Sequence, residues 1–201
     1  MALAILFSVA SCMPVPPDGG PPRSPDLPPP DEPRPPAEER LRAPSAEERA
    51  LHASINDRRR SAGLPAIGLS KSLSLVAQTH ARDLQVNPPA EPCNLHSWSP
   101  DGPWTPCCYT PDHAEAECMW SKPRELSEYG GTGYEIAFWH SRRATAGEAL
   151  ASWERSAGHS AVVFNRDRWA GHAWRSLGVA IHGNFAVAWF GDERDPAGYW
   201  E

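Results

Sequence analysis

Large aromatic residues are missing from the start of this 201-residue sequence. All nine tryptophans lie at or beyond Trp98, whereas 13 of the 23 prolines lie between Pro14 and Pro44. A hydrophobic core can therefore form only after the proline-rich stretch. About 150 residues remain to build it, and a domain of that size buries about two-thirds of its unfolded surface without help from a metal.

Basic blocks and common catalytic motifs are also missing. The formal net charge is −6, and the longest basic run is Arg58-Arg59-Arg60. A phosphate-binding surface needs a positive stripe, so we expect no nucleic-acid partner. The sequence contains no HExxH, GxSxG, P-loop or GxGxxG motif, which counts against the common hydrolase and nucleotide-binding folds.

Residues 1–11 are almost entirely apolar, but a helix needs about 20 such residues to span a membrane. We interpret residues 1–12 as an export signal. It ends in Val-Ala-Ser-Cys, which resembles a bacterial lipobox with Cys12 as the acylated residue. The signal lacks Lys and Arg, so an ordinary secreted protein and an uninformative apolar start remain alternatives. We expect an extracellular or cell-envelope location, with membrane contact only through the lipid anchor.

Residues 13–44 consist largely of Pro, Asp, Glu, Arg and Gly. Such a segment buries too little apolar surface to offset its ordering entropy, which predicts a disordered, extended tether. We place one folded domain at residues 45–195 and expect it to be a monomer.

The other four cysteines, beyond Cys12, lie within 26 residues of one another. They are Cys93, Cys107, Cys108 and Cys118. A bridge between the adjacent Cys107 and Cys108 is sterically poor, so two crossed or nested disulfides are expected. A four-cysteine zinc site is the disfavoured alternative, because these spacings lack a CxxC pair.

Helix and strand signals alternate along the domain. Ser45 with Glu48, and Thr145 with Glu148, form capping boxes at helix starts, and the helix from Thr145 is predicted to end at Gly158. A second helix is predicted from about Ser70, and its apolar stripe includes His80, which we interpret as a core residue. Residues 87–128 show no periodicity and are predicted to be irregular. Residues 177–181 and 185–189 form a predicted hairpin, and the whole pattern indicates an α+β fold.

Several sequence blocks occur in the order typical of one family. The blocks are 55–59 (Ile-Asn-Asp-Arg-Arg), 77–84 (Ala-Gln-Thr-His-Ala-Arg-Asp-Leu), 94–98 (Asn-Leu-His-Ser-Trp), 133–137 (Gly-Tyr-Glu-Ile-Ala), 153–159 (Trp-Glu-Arg-Ser-Ala-Gly-His) and the closing 177–180 with 186–191. Together they resemble the CAP superfamily of cysteine-rich secretory proteins, antigen 5 and pathogenesis-related 1 proteins, also called SCP domains, in a bacterial-type form. The resemblance implies a three-layer α-β-α sandwich with an antiparallel sheet.

The resemblance also implies a cleft lined by two histidines and two acidic residues. His96 and His159 match the histidines, and Glu135 matches the first acid, although an ungapped match would put Tyr134 there. The second acidic position corresponds to Ser156. The cleft set is therefore expected to be His96, Glu135 and His159.

Two imidazoles and a carboxylate are ligands that Zn²⁺ accepts, so a divalent metal held by His96 and His159 is one hypothesis. A second hypothesis needs no metal: a histidine acts as a general base and the glutamate orients it. Alternatively, the histidines cap loops and Glu135 pairs with an arginine.

We expect a binding protein whose cleft recognises an extracellular ligand, namely a lipid, sterol, peptide or envelope component. The resemblance alone suggests those ligand classes. A zinc-dependent hydrolase using the same cleft is the main alternative, and a structural surface protein is a third.

Overall fold

The computed structural model describes residues 41–201. The predicted export signal, the lipidation of Cys12 and most of the tether at 13–44 lie outside the described residues. The helices are α1 (Ala46–Ser61), α2 (Lys71–Val86), α3 (Ala116–Trp120), α4 (Lys122–Leu126), α5 (Ala146–Arg155), α6 (Ala157–Val163) and a 3₁₀ turn at Asp167–Trp169. The strands are β1 (Gly68–Leu69), β2 (Tyr134–Trp139), β3 (Ser176–His182) and β4 (Phe185–Gly191).

The predicted helix starts are confirmed. Ser45 caps α1, and the reciprocal bond from its own amide to Glu48 completes the capping box. Ser70 caps α2 by accepting from the amide of Leu73. The chain leaves α1 through Gly63, whose φ of +74° is a conformation that glycine adopts without strain.

The sheet has the strand order β1-β3-β4-β2. The predicted hairpin of β3 and β4 is confirmed, and β2 adds to β4 in antiparallel register. Gly183 turns the chain between β3 and β4 with a φ of +54°. A short edge pairing, β1 with β3, is parallel and was not predicted.

Alternate residues of β4 bury into opposite layers, as the two-residue period of a strand requires. One layer contains Ala186, Ala188 and Phe190 in a core with residues of α1, α5 and α6. The other contains Phe185, Val187 and Trp189, packed with residues of α2 and of the cysteine-bridged segment, residues 87–128. The three-layer α-β-α arrangement is confirmed.

Two local predictions were wrong. The segment 87–128 is not irregular throughout, since α3 and α4 lie within it. Gly158 does not end the helix begun at Thr145. That helix ends at Arg155, where Ser156 caps α6, and Gly158 lies inside α6. The hydroxyl of Ser156 restarts the helix, so the glycine is not needed as a stop signal.

The four domain cysteines form crossed disulfides, Cys93–Cys108 and Cys107–Cys118. Backbone bonds in both directions between Trp98 and Cys107 join the two arms of the segment. Crossing the bridges ties residues 93–118 into one unit.

The last residues assigned to the tether contact the domain. The Arg42 guanidinium pairs with buried Glu48 at 2.6 Å, and its backbone exchanges two bonds with the side chain of Gln78. At the other end, Trp200 donates from its amide to Leu69, and the Arg49 side chain donates to Glu201. Over the described residues, no helix combines the length and apolar character needed to cross a bilayer.

Candidate functional site

Glu135 lies at the centre of the candidate site. It is the second residue of β2 and pairs with Trp189 of β4. Directly paired residues of neighbouring strands point to the same face, so Glu135 faces the α2 layer with Trp189. Its side chain is fully buried. A carboxylate taken out of water needs polar partners, and the surrounding imidazoles are placed to supply them.

The cysteine-bridged segment brings His96 to Glu135. His96 follows Cys93 by three residues, its amide bonds to the Asn94 side chain, and the amide of Asn94 bonds to the carbonyl of Tyr109. The Nδ1 atom of His96 bonds to Oε2 of Glu135. With its side chain 21% exposed, His96 connects the buried carboxylate to the surface.

His159 reaches the same place from the opposite helical layer. It lies in the first turn of α6, where Ser156 caps its amide. The ring centroids of His159 and His96 are 6.4 Å apart. The Nδ1 atom of His159 is buried and has no hydrogen-bond partner among the described residues.

His80 is a fourth member that the sequence interpretation missed. It is fully buried in α2, as a core residue would be, and its ring stacks on Trp98 with centroids 4.3 Å apart. Its Nε2 bonds to the carbonyl of Ser97, while its Nδ1 lies 3.7 Å from Oε1 of Glu135. Neither His80 Nδ1 nor Glu135 Oε1 has a hydrogen-bond partner in the described chain. The only sequence signal for a role of His80 in the site was its position as a titratable residue on the otherwise apolar stripe of α2.

The histidines differ in charge because their surroundings differ. Burial by itself would lower the pKa of His96, but the charge and hydrogen bond of Glu135 raise it above its usual value. Burial lowers the pKa of His80 and of His159, and His96 lowers that of His159 further. In this site the surroundings of His96 favour its protonated form, whereas those of His80 and His159 favour the neutral form.

The second acidic position of the family is absent from the site. Ser156 caps α6, and the neighbouring Glu154 pairs instead with Arg58 at 3.0 Å on the surface. Tyr134, the other candidate for the first acidic position, packs against the core on the opposite side of the sheet. Of the two candidates, Glu135 is the one that lies beside His96.

The donor set fits a pair of imidazoles better than a three-ligand metal site. Catalytic zinc sites use three protein ligands. Here His159 Nδ1 has no partner within the described chain, but Oε2 of Glu135 is already bonded to His96. Across residues 41–201, no group of three His, Cys, Asp or Glu side chains is arranged to hold a metal. Glu135 is placed to orient an imidazole, as carboxylates beside metal-binding histidines do.

Known structures share this fold. An extracellular protein containing an SCP domain from Bacillus anthracis is 16% identical over 73% of this chain, with a TM-score of 0.51, and the match spans only 40% of that protein's chain. An outer surface protein from Borrelia burgdorferi is 15% identical over 74% of this chain and 93% of its own, with a TM-score of 0.50. At these identities the likeness concerns the fold.

No curated protein matches the sequence. The sequence model of CAP, the cysteine-rich secretory protein family, matches residues 52–184, which is most of the described domain. The chain belongs to the cysteine-rich secretory protein (CAP) family.

Proposed function

We propose that the protein is an exported, lipid-anchored binding protein of the cell envelope, and that His96, His159 and Glu135 recognise its ligand. The observation that carries the proposal is the buried carboxylate of Glu135, bonded to the partly exposed ring of His96 with His159 alongside. A carboxylate buried in this way orients the imidazole and leaves its other nitrogen for a ligand.

The ring nitrogens suit a ligand with hydroxyl or carbonyl groups. A charged His96 donates from both nitrogens, whereas a neutral His159 offers one donor and one acceptor. The polar head of a lipid, sterol, peptide or envelope component carries such groups. The extracellular and outer-surface relatives support an extracellular location.

Native mass spectrometry of the full chain after incubation with an envelope extract tests this proposal. We expect a bound species with the native protein and none with the His96→Ala/His159→Ala variant. The matched control is His140→Ala/His182→Ala, two histidines away from the site, which should keep the ligand. If the site variant retains the ligand as well as the control does, the proposal is wrong.

A metal-dependent hydrolase is the second candidate, favoured by the buried Nδ1 atom of His159, which has no hydrogen-bond partner among the described residues. His96 and His159 would supply two of the three protein ligands that a catalytic zinc ion takes, so this candidate is weaker than the first. Glu135 would orient His96. Calorimetric titration with Zn²⁺ tests the idea, because binding by the native protein should disappear in His159→Ala. Zinc uptake that is weak or unchanged in the variant would rule out the hydrolase.

A further inference from the structure

A concave region lies away from the histidine site. It has a volume of about 830 Å³ and is enclosed by the end of α1, the start of β1, the loop before β3 and the C-terminal tail. Its lining includes Arg59, Arg175 and Arg194 but no Asp or Glu. None of His80, His96, Glu135 and His159 lines it.

Arg59 forms the base of this arginine cavity. Only 1% of the residue is exposed. Its guanidinium donates to the carbonyls of Pro65 and Val163 and to the Asn165 side chain, at 3.1, 2.5 and 2.7 Å. No carboxylate within the described residues pairs with it, and burial lowers its pKa to about 10. Neutral acceptors hold the guanidinium in place but leave its positive charge unbalanced.

The other two arginines extend the positive charge to the rim. Arg175 and Arg194 are exposed, and neither side chain makes an ion pair in the part of the chain that the structure describes. Isolated surface arginines are ordinary, but here two of them share one concavity with a buried third. The whole protein has a net charge of −6, so this local excess runs against its overall charge.

The wall of the cavity is held in place by its own bonds. The rings of His172 and Trp174 stack with centroids 4.6 Å apart, and His172 bonds to Asp192 at 2.6 Å. Trp174 donates to the carbonyl of Val162. On the opposite side, the Tyr199 ring packs so close to Gly68 that a Cβ there would lie 2.6 Å from it. These contacts fix the shape of the concavity from within the chain, as is usual for preformed small-molecule sites.

We propose that this arginine cavity binds a small anion that carries at least two carboxylate or phosphate groups. Guanidinium groups bind both kinds of group through paired, charge-assisted hydrogen bonds. The volume suits a small molecule or the charged end of a polymer. This site is separate from the histidine site, and either proposal can fail without the other.

Calorimetric titration of the full chain with citrate and with pyrophosphate, at one fixed ionic strength, tests the proposal. We expect saturable binding of at least one of them, and the one that binds identifies carboxylate or phosphate as the preferred group. Arg175→Gln/Arg194→Gln should weaken that binding about tenfold or more, because each charge-assisted bond contributes substantially. Both substituted residues are exposed, and an unchanged melting temperature would show that the variant is folded.

The matched control is Arg142→Gln/Arg143→Gln, which removes two exposed charges from the loop between β2 and α5. It should bind within about twofold of the native protein, since the lost charges lie outside the cavity. An NMR shift of the Arg59 Nε–H resonance during titration would place the anion at the base of the cavity. Failure of both probes to bind, or equal weakening in the two double variants, would overturn the proposal.

Discussion

The hairpin of β3 and β4 and the cysteine-bridged segment 87–128 pack on one another but are held together differently. The hairpin is buried along nearly its whole length and paired by a continuous ladder of backbone bonds. The segment has two five-residue helices and one isolated bridge, and it depends on two disulfides and on bonds from side chains to the backbone. The hairpin is ordered by alternating burial and a regular ladder of backbone bonds, whereas the segment is ordered by a few separate disulfides and hydrogen bonds.

The candidate site joins the two kinds of structure. Glu135 comes from β2, which extends the ladder of the hairpin, and His96 comes from the bridged segment. His80 contacts both, since its ring faces Glu135 and bonds to the carbonyl of Ser97, beside His96. A rigid carboxylate is thus paired with a histidine whose position depends on covalent links.

The largest expected effect is in the hairpin, with Gly178→Val. A Cβ at Gly178 would lie 2.0 Å from the backbone carbonyl carbon of Leu73 in α2, and backbone cannot move aside as a side chain can. We expect a loss of about 3 kcal/mol or more in the free energy of unfolding, measured by urea denaturation. The control is Gly147→Ala, where a Cβ meets no atom within 4 Å, and it should be neutral or slightly stabilising. A mild effect of Gly178→Val would mean that α2 does not lie this close to the sheet.

The next largest effect is in the bridged segment, with Cys93→Ala/Cys108→Ala. This bridge closes a loop with a sequence separation of 15, and chain entropy assigns about 3 kcal/mol to a loop of that size. Hydrogen exchange should speed up in residues 93–109 and stay slow in β3 and β4. Equal loss of protection in both regions would show that the segment and the hairpin unfold as one unit.

A smaller effect is expected at the junction, with Glu135→Gln. The substitution keeps the shape of the side chain but removes the charge, so the pKa of His96 should fall. NMR titration of the His96 ring measures this change. Weakening the buried bond should also cost about 1 to 3 kcal/mol in unfolding free energy. Glu154→Gln, which breaks the surface pair with Arg58, is the matched control. An unchanged pKa of His96 would mean that the carboxylate of Glu135 does not interact with the His96 ring.

The sequence predicted the hairpin of β3 and β4 better than it predicted the cysteine-bridged segment. The hairpin and the helix caps follow from local periodicity and capping residues, so Ser45, Ser70 and the turn at Gly183 were within reach. The family resemblance supplied His96, Glu135 and His159, which the fold brings together. His80 was missed because an imidazole on an apolar stripe looks the same whether or not a carboxylate faces it. The cysteines predicted two crossed or nested disulfides but did not decide between the pairings. The arginine cavity depends on contacts between distant parts of the chain, which no local pattern encodes.

The smallest expected effects come from pH, and they should have opposite signs at two histidines. The pKa of His80 is below its ordinary 6.5, so the unfolded chain takes up that proton first, and the stability that His80 provides decreases as the pH falls below about 6.5. The pKa of His96 is above 6.5, so its contribution is complete below that pH and is lost as the pH rises through the folded value. One proton changes the unfolding free energy by at most about 1.4 kcal/mol per pH unit.

Unfolding curves measured across this pH range test the two signs. The difference in unfolding free energy between native protein and His80→Gln should narrow toward acid, and the difference for His96→Gln should widen. Gaps that move in the same direction would mean that the buried and the partly exposed imidazole share one environment, and the contrast between the two regions would not extend to the site.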